Sequence, residues 1–352
     1  MNSRIEYIDI AKALGIIFVV IGHAGLGGIG KFIYLFHMPL FFLISGYFFQ
    51  DNYTLNFSKF ITKRIKSLYI PFIKFELIFL VLHNVFVNYN IYSTNPNVNG
   101  VQSFYTLSDY IHHALSIFIF NGTELLLAPL WFLTVLFTAN IIFWVISKIS
   151  VKYGENYRLV LLLLCFCLGN LFTKFKIGII NSMVFVPEFI NVSLVVVFIF
   201  YLGYLYRQHE NKINLNSKPL LIASTLILLL LREYSEMDMR RNFYTDPAML
   251  LIGTLFGTYF TFYIAKHISN PRAKNILKYI GNNTVPIMAL HLLSFKLVTL
   301  IQIALLDLPL YTLGNYGTIG KNWVGVFYTL AGVGLPLLAV YVKNSLWNTK
   351  SK

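Results

Sequence analysis

Apolar runs recur along the whole chain, at roughly 8 to 26, 33 to 49, 68 to 89, 129 to 147, 157 to 173, 190 to 206, 219 to 232, 247 to 265, 280 to 303 and 323 to 342. Several approach the twenty or so residues that a helix needs to cross a hydrocarbon core about 30 Å thick, while the run at 219 to 232 is short. In lipid the backbone must pair its own N–H and C=O groups, and runs of this length do so as helices. Composition removes the soluble alternative. With 57% of residues hydrophobic and only 12% charged, there are too few polar side chains to skin an aqueous globule. The expectation is an all-α, polytopic membrane protein with about ten transmembrane helices, forming a single membrane domain over residues 1–352.

A formal charge of +14 would suit nucleic acid, but the Lys and Arg residues sit in short clusters between the apolar runs, a topology pattern with no nucleic-acid role. With the N-terminus in the cytoplasm, eighteen of the 28 basic residues fall on inner segments, among them Arg4, Lys59, Lys63, Arg64, Lys66, Lys274, Lys278, Lys350 and Lys352. Seven fall outside (Lys31, Lys174, Lys176, Arg232, Arg240, Arg241 and Lys321), and Lys12, Lys74 and Lys296 lie within runs. That bias places both termini in the cytoplasm. The first run is not a cleaved signal peptide, since Lys12 and His23 interrupt it and no small-x-small site follows. Cys165 and Cys167 lie two apart on a helix and point to different faces, which argues against a disulfide or a metal site.

The connection from 90 to 128 carries no Lys or Arg and therefore belongs outside. A turn-rich stretch, NYNIYSTNPNVNG, leads into TLSDYIHHALSIFIF, where Thr106 and Asp109 have the spacing of a helix-capping box. Two readings stand: a lid or acceptor-binding feature, and a helix lying on the outer leaflet.

Lys12 and His23 are eleven residues apart in one apolar helix, close to three whole turns, so both lie on one face about 16 Å apart along the axis. Ionisable side chains at that depth are costly and mark function. Gly25, Gly27, Gly28 and Gly30 follow at once, and irregular backbone there is tolerated only against protein or a wet cavity, so a cavity is expected beside His23. The second run opens with His37, Met38 and Pro39 and contains Ser45 and Gly46, a small pair that lets a neighbouring helix or a narrow ligand approach the backbone. Lys74 and Glu76, in the third run, read as a pair or as side chains snorkelling near the inner surface.

Taken together, Lys12-x10-His23, FHMPLFFLISGYFF, ITKRIKSLYIPF at 61 to 72, PLWFLTVLF at 129 to 137, FYLGYLYR at 200 to 207 and NTVPIMALH at 283 to 291 resemble the acyltransferase 3 family of integral membrane acyltransferases. These include bacterial O-acetylases of surface polysaccharide, the fucose acetylases among them. The resemblance covers essentially the whole chain. It implies a ten-helix domain in the bacterial cytoplasmic membrane that takes an acyl group, usually from acetyl-CoA as donor substrate and with no metal, and passes it to a hydroxyl of a glycan outside. The family's Arg/Lys-x10-His motif falls on Lys12 and His23. Its Arg-x-x-Arg motif falls on Lys63 and Lys66 or the neighbouring Arg64, where lysine replaces a residue that is often arginine. Lysine meets phosphate as a point charge and lacks the bidentate grip of a guanidinium.

The residues support the same chemistry. Acyl transfer to a hydroxyl needs a base, and a neutral histidine in a low-dielectric cavity serves; His23 is the choice, with Lys12 toward the donor's phosphates or holding Asp9 or Glu6. Lys63, Arg64 and Lys66, with Ser45, are the candidates for binding CoA, and His37 and His291 for the acceptor. Each has a plainer reading: Lys12 snorkelling, the basic cluster setting topology, Ser45 packing helices, His37 marking a turn, and His291 with Lys296 bonded within the bundle. The alternative function is a polysaccharide or small-molecule transporter, against which stands the lack of an inverted repeat.

Overall fold

The computed structural model describes residues 6–175, 189–320 and 323–350, with side chains to residue 346. Arg4, Lys176, Lys321, Lys352 and the Lys350 side chain, all used in the charge count, lie outside the described residues. In chain order the helices are α1 Glu6–His23, α2 Gly27–Tyr34, α3 His37–Tyr47, α4 Phe57–Arg64, α5 Ile70–Asn88, α6 Leu107–Phe118 and α7 Trp131–Tyr153. They continue as α8 Glu155–Lys174, α9 Ile190–His209, α10 Lys218–Tyr234, α11 Pro247–His267, α12 Pro271–Asn282, α13 Thr284–Leu306 and α14 Val324–Lys350. A two-residue hairpin, β1 Met237–Asp238 with β2 Phe243–Tyr244, is the sheet among the described residues.

Helix starts follow local chemistry. Ser217, Asp246 and Asn270 each accept a backbone N–H at the head of α10, α11 and α12, and each is followed within two residues by a proline that needs no donor there. At α6 the capping box forms in full: Thr106 Oγ1 accepts the Asp109 N–H, and Asp109 Oδ2 accepts the Thr106 N–H at 2.8 Å. The Thr106 N–H, and after it the Thr106 hydroxyl that also donates to Oδ2 at 2.8 Å, hold the Asp109 carboxyl below its usual value. Its contribution is therefore present above the ordinary aspartate range and is lost as pH falls through the lowered value. Thr106→Ala is expected to speed amide exchange in the first turn of α6 roughly fivefold, and wild type should approach that rate only below about pH 4. Equal exchange in the two proteins at neutral pH would contradict the cap.

Eight helical segments among the described residues are long and apolar enough to cross a membrane: Gly27–Tyr47, Phe57–Asn88, Leu125–Tyr153, Glu155–Lys174, Ile190–Lys212, Pro247–His267, Thr284–Leu306 and Val324–Leu346. The other two expected spans are also helical but fall short of that measure. α1 carries Glu6, Asp9 and Lys12 within its first two turns, and α10 has 17 residues. Leu163, Leu164, Leu168 and Leu171 on α8, and Phe327, Leu330 and Leu338 on α14, are exposed. Water does not solvate such faces at this density, and lipid does. The protein is an all-α, multi-pass membrane protein.

The chain divides into two compact units. The first comprises Met1–Ile33, Ile73–Leu130 and Ser269–Lys352. In it α1 packs on α12, α13 and α14, α13 packs on α14, and the 3-10 turn Leu125–Leu130 packs on α13. The second comprises Tyr34–Phe72 and Trp131–Ile268, with α3, α7 and α8 all packed on α9 and α10 on α11. Phe49 is fully buried there, with the Phe143 and Phe200 rings 4.8 Å and 6.1 Å away.

The glycine-rich bend is shorter than the sequence suggests. Only a turn separates α1 from α2, and helix resumes at Gly27. Gly25 sits at φ +75, a backbone conformation that favours glycine, and a Cβ there would stand 2.7 Å from Thr318 Oγ1.

Candidate active site

One end of α1 is built around charge. Glu6 and Asp9 occupy its first turn, where the helix dipole favours anions. Lys12 Nζ donates to Asp9 Oδ1 at 3.2 Å, with the Asp9 side chain 3% exposed and that of Lys12 26%. Of the two carboxylates within reach of Lys12, the structure pairs it with Asp9. Glu6 instead accepts from Lys274 at 2.8 Å and Lys278 at 3.1 Å on α12, and those bonds hold its carboxyl below the usual value. Gly281 of α12 faces the Asp9 carbonyl with no room for a side chain, so the two backbones meet directly. Lys12→Met is expected to cost about 3 kcal/mol, because it strips the ammonium from a buried carboxylate. Adding Asp9→Asn should recover most of that loss in unfolding measurements in detergent. A Lys12→Met protein that unfolds with wild type would show the pair to be inert.

The other end of α1 is built around two imidazoles. His23 is its last residue and is half-buried; the His291 ring of α13 lies 5.3 Å away, centroid to centroid, and is fully buried. His291 Nδ1 donates to the carbonyls of Ile287 at 3.1 Å and Met288 at 2.9 Å. With Nδ1 committed, Nε2 is left to act as an acceptor, and it has no hydrogen-bond partner among the described residues. α14 closes this corner: a Cβ at Gly332 would stand 2.6 Å from the Phe295 ring and 2.7 Å from Val20. His23 is thus the more exposed of the two rings, and His291 lies behind it, fully buried. The arrangement suits proton removal from a hydroxyl by one ring, with a second basic nitrogen beside it.

Lys296, one and a half turns beyond His291, is used differently. Its ammonium donates to the carbonyls of Leu313 at 2.8 Å and Asn315 at 2.7 Å, fixing the 310–316 loop. That loop meets residues 93–100, where Tyr316 N–H donates to Asn99 O at 2.7 Å and Asn99 N–H to Asn315 Oδ1 at 2.9 Å.

The remaining sequence candidates lie in the second unit. His37 opens α3, buried, with Tyr34 edge-on at 5.0 Å. Ser45 Oγ donates to the Phe41 carbonyl of its own helix at 2.9 Å, and its neighbour Gly46 lies directly against the Phe200 carbonyl of α9. The Ser-Gly pair thus admits a helix. Lys63 and Lys66 are exposed, and Lys63 donates to the Tyr53 hydroxyl at 2.8 Å. Arg64 lies over the Phe60 and Tyr53 rings at 5.2 Å and 5.8 Å, with its Nε left without a hydrogen-bond partner. A π-helical turn, Ile65–Tyr69, follows α4, shifting the helical register just after Arg64.

One cluster escaped the sequence reading. On α5, Glu76 is fully buried, and its Oε2 accepts the N–H groups of Thr123 and Glu124 at 3.2 Å and 3.3 Å. It is an anchor for that loop, and it lies buried where a position near the inner surface was expected. Two turns on, His83 Nδ1 meets Glu124 Oε2 at 3.1 Å and Nε2 meets the Ser103 carbonyl at 2.9 Å. Tyr92 donates to the same Glu124 oxygen at 2.9 Å, and Tyr105 stacks on His83 at 3.4 Å with His113 next at 4.4 Å. Burial, then the Glu124 charge, pushes the Tyr92 hydroxyl up, and burial holds His113 below the usual histidine value. The available signal was a lone polar pair, His83-Asn84, inside an apolar run; its partner forty-one residues on was not legible.

The family model described as an acyltransferase domain, acyltransferase 3, matches residues 5–342. The chain belongs to the acyltransferase 3 family. The match runs through α1 to α14 and so includes both ends of α1 and every candidate residue above. The protein is thus a membrane acyltransferase. Comparison with curated proteins and with solved structures returned no match.

Proposed function

We propose that this acyltransferase takes an acyl group, acetyl in the first place, from acyl-CoA at the cytoplasmic face and transfers it to a hydroxyl of a surface polysaccharide or lipid-linked glycan on the outer side of a bacterial cytoplasmic membrane. The observation that carries this reading is the polarity of α1: Lys12 and Asp9 near one end, His23 against His291 at the other. The contacts around it support the orientation. Glu6 meets Lys274 and Lys278, inner residues by the charge bias, whereas the His23 end is followed by Gly25 against Thr318, in a loop assigned to the outside.

In the proposed reaction His23 removes the acceptor proton as the oxygen attacks the thioester carbonyl. The new C–O bond forms, the C–S bond breaks, and CoA leaves as the thiol with the proton His23 held. Lys63, Arg64, Lys66 and Ser45 are assigned to CoA binding and Lys12 to the donor path; His37 and His291 are assigned to the acceptor side. The test uses protein in sealed liposomes with labelled acetyl-CoA on one side only. Label should pass to glycan on the opposite side with stoichiometric CoA release. Glycan movement without thioester consumption would return the transporter reading.

A further inference from the structure

We propose that Glu124 and Thr123 form a subsite that binds a neutral hydroxyl-bearing ligand, a sugar ring, in the first unit; the identification of that ligand with the acceptor rests on the function proposed above. Glu124 is 3% exposed, yet only one of its carboxylate oxygens is used. Oε2 takes both His83 and Tyr92, while Oε1 and the neighbouring Thr123 Oγ1 are buried with no hydrogen-bond partner among the described residues. Leaving a buried carboxylate oxygen unsatisfied is costly, so Oε1 favours a group that donates to it.

The pair's own bonding limits what that is. His83 Nε2 faces a carbonyl, which can only accept, so Nε2 carries a proton; Nδ1 faces a carboxylate oxygen, so a second proton lies between Nδ1 and Oε2. Wherever that proton resides, His83 and Glu124 together are neutral. A cation would find no net charge to pair with, and an anion would be repelled by the free oxygen. A hydroxyl, which donates to Oε1 and accepts from Thr123 Oγ1, satisfies both. The subsite is also rigidly placed. Glu76 clamps both backbone N–H groups, and Leu125–Leu130, which follows at once, packs on α13, the helix that carries His291.

Binding is read without donor, by saturation-transfer NMR on nanodisc-embedded protein with methyl glycosides of hexoses, 6-deoxyhexoses and N-acetylhexosamines. Wild type is expected to bind at least one of them. Glu124→Gln and Thr123→Val should weaken that binding about tenfold or more, with the acceptor KM rising more than kcat falls. Tyr92→Phe, which removes a hydroxyl bonded to Oε2 and to the Leu126 N–H and leaves Oε1 and Thr123 untouched, should bind as wild type. Equal loss in Glu124→Gln and Tyr92→Phe would mean a purely structural network and overturn the subsite, as would a wild type that binds none of the panel. CoA turnover with no glycoside binding sinks this inference alone, while binding without CoA turnover sinks the proposed donor.

Discussion

His23→Ala is expected to lower acyl transfer by about 10²- to 10⁴-fold while leaving the protein folded, the range that a positioned general base supplies. His23 ends α1, half-buried, and its ring lies against His291, whose Nδ1 is tied to two carbonyls. Removing the His23 ring takes away the half-buried imidazole and leaves only the fully buried one. Little packing is lost, because the neighbouring corner is closed by Gly332, Val20 and Phe295. Donor binding should therefore survive, and the defect should fall on the chemical step. A variant that retains full turnover would remove His23 from the reaction, whatever its neighbours.

A stability effect as large as that of Lys12→Met is expected at Gly46. α3 and α9 meet backbone to backbone: Gly46 lies on the Phe200 carbonyl and Gly203 on the Leu43 carbonyl, a reciprocal contact. A methyl group at either position falls on a backbone oxygen, which cannot rotate away as a side chain would, so the helices must separate. Gly46→Ala should cost about 3 kcal/mol, the upper part of the range for overpacking. Because separation relieves both contacts, adding Gly203→Ala should cost much less than the first change. Thermal unfolding in detergent reads both effects. An unshifted transition in Gly46→Ala would contradict the close crossing, and strict additivity would contradict the shared contact.

What the sequence makes legible is local. The apolar runs give the helices, Thr106 and Asp109 give the start of α6, and the Lys12 to His23 spacing gives one face of α1. These depend on residues a few turns apart, where helix geometry alone fixes position. The contacts that turn the candidates into a site are long-range. His23 meets His291 across two helices, and His83 meets Glu124 across an intervening loop and helix. No spacing rule connects such pairs, because the path between them is set by packing. Glu76 shows the same limit: one carboxylate in an apolar run gives no sign of whether its partner is a lysine or, as here, two backbone N–H groups. Ser45 and Gly46 left a choice between ligand and helix that only the position of α9 decides.

The proposed reaction turns on thioester cleavage at the His23 end of α1. The most direct measurement is CoA thiol release from acetyl-CoA by purified wild type in nanodiscs, in parallel with His23→Ala of matched thermal stability. The account predicts steady release by wild type and a fall of at least a hundredfold in the variant. Release that is absent from wild type across acetyl-, succinyl- and longer acyl-CoAs, or equal in the two proteins, would contradict it.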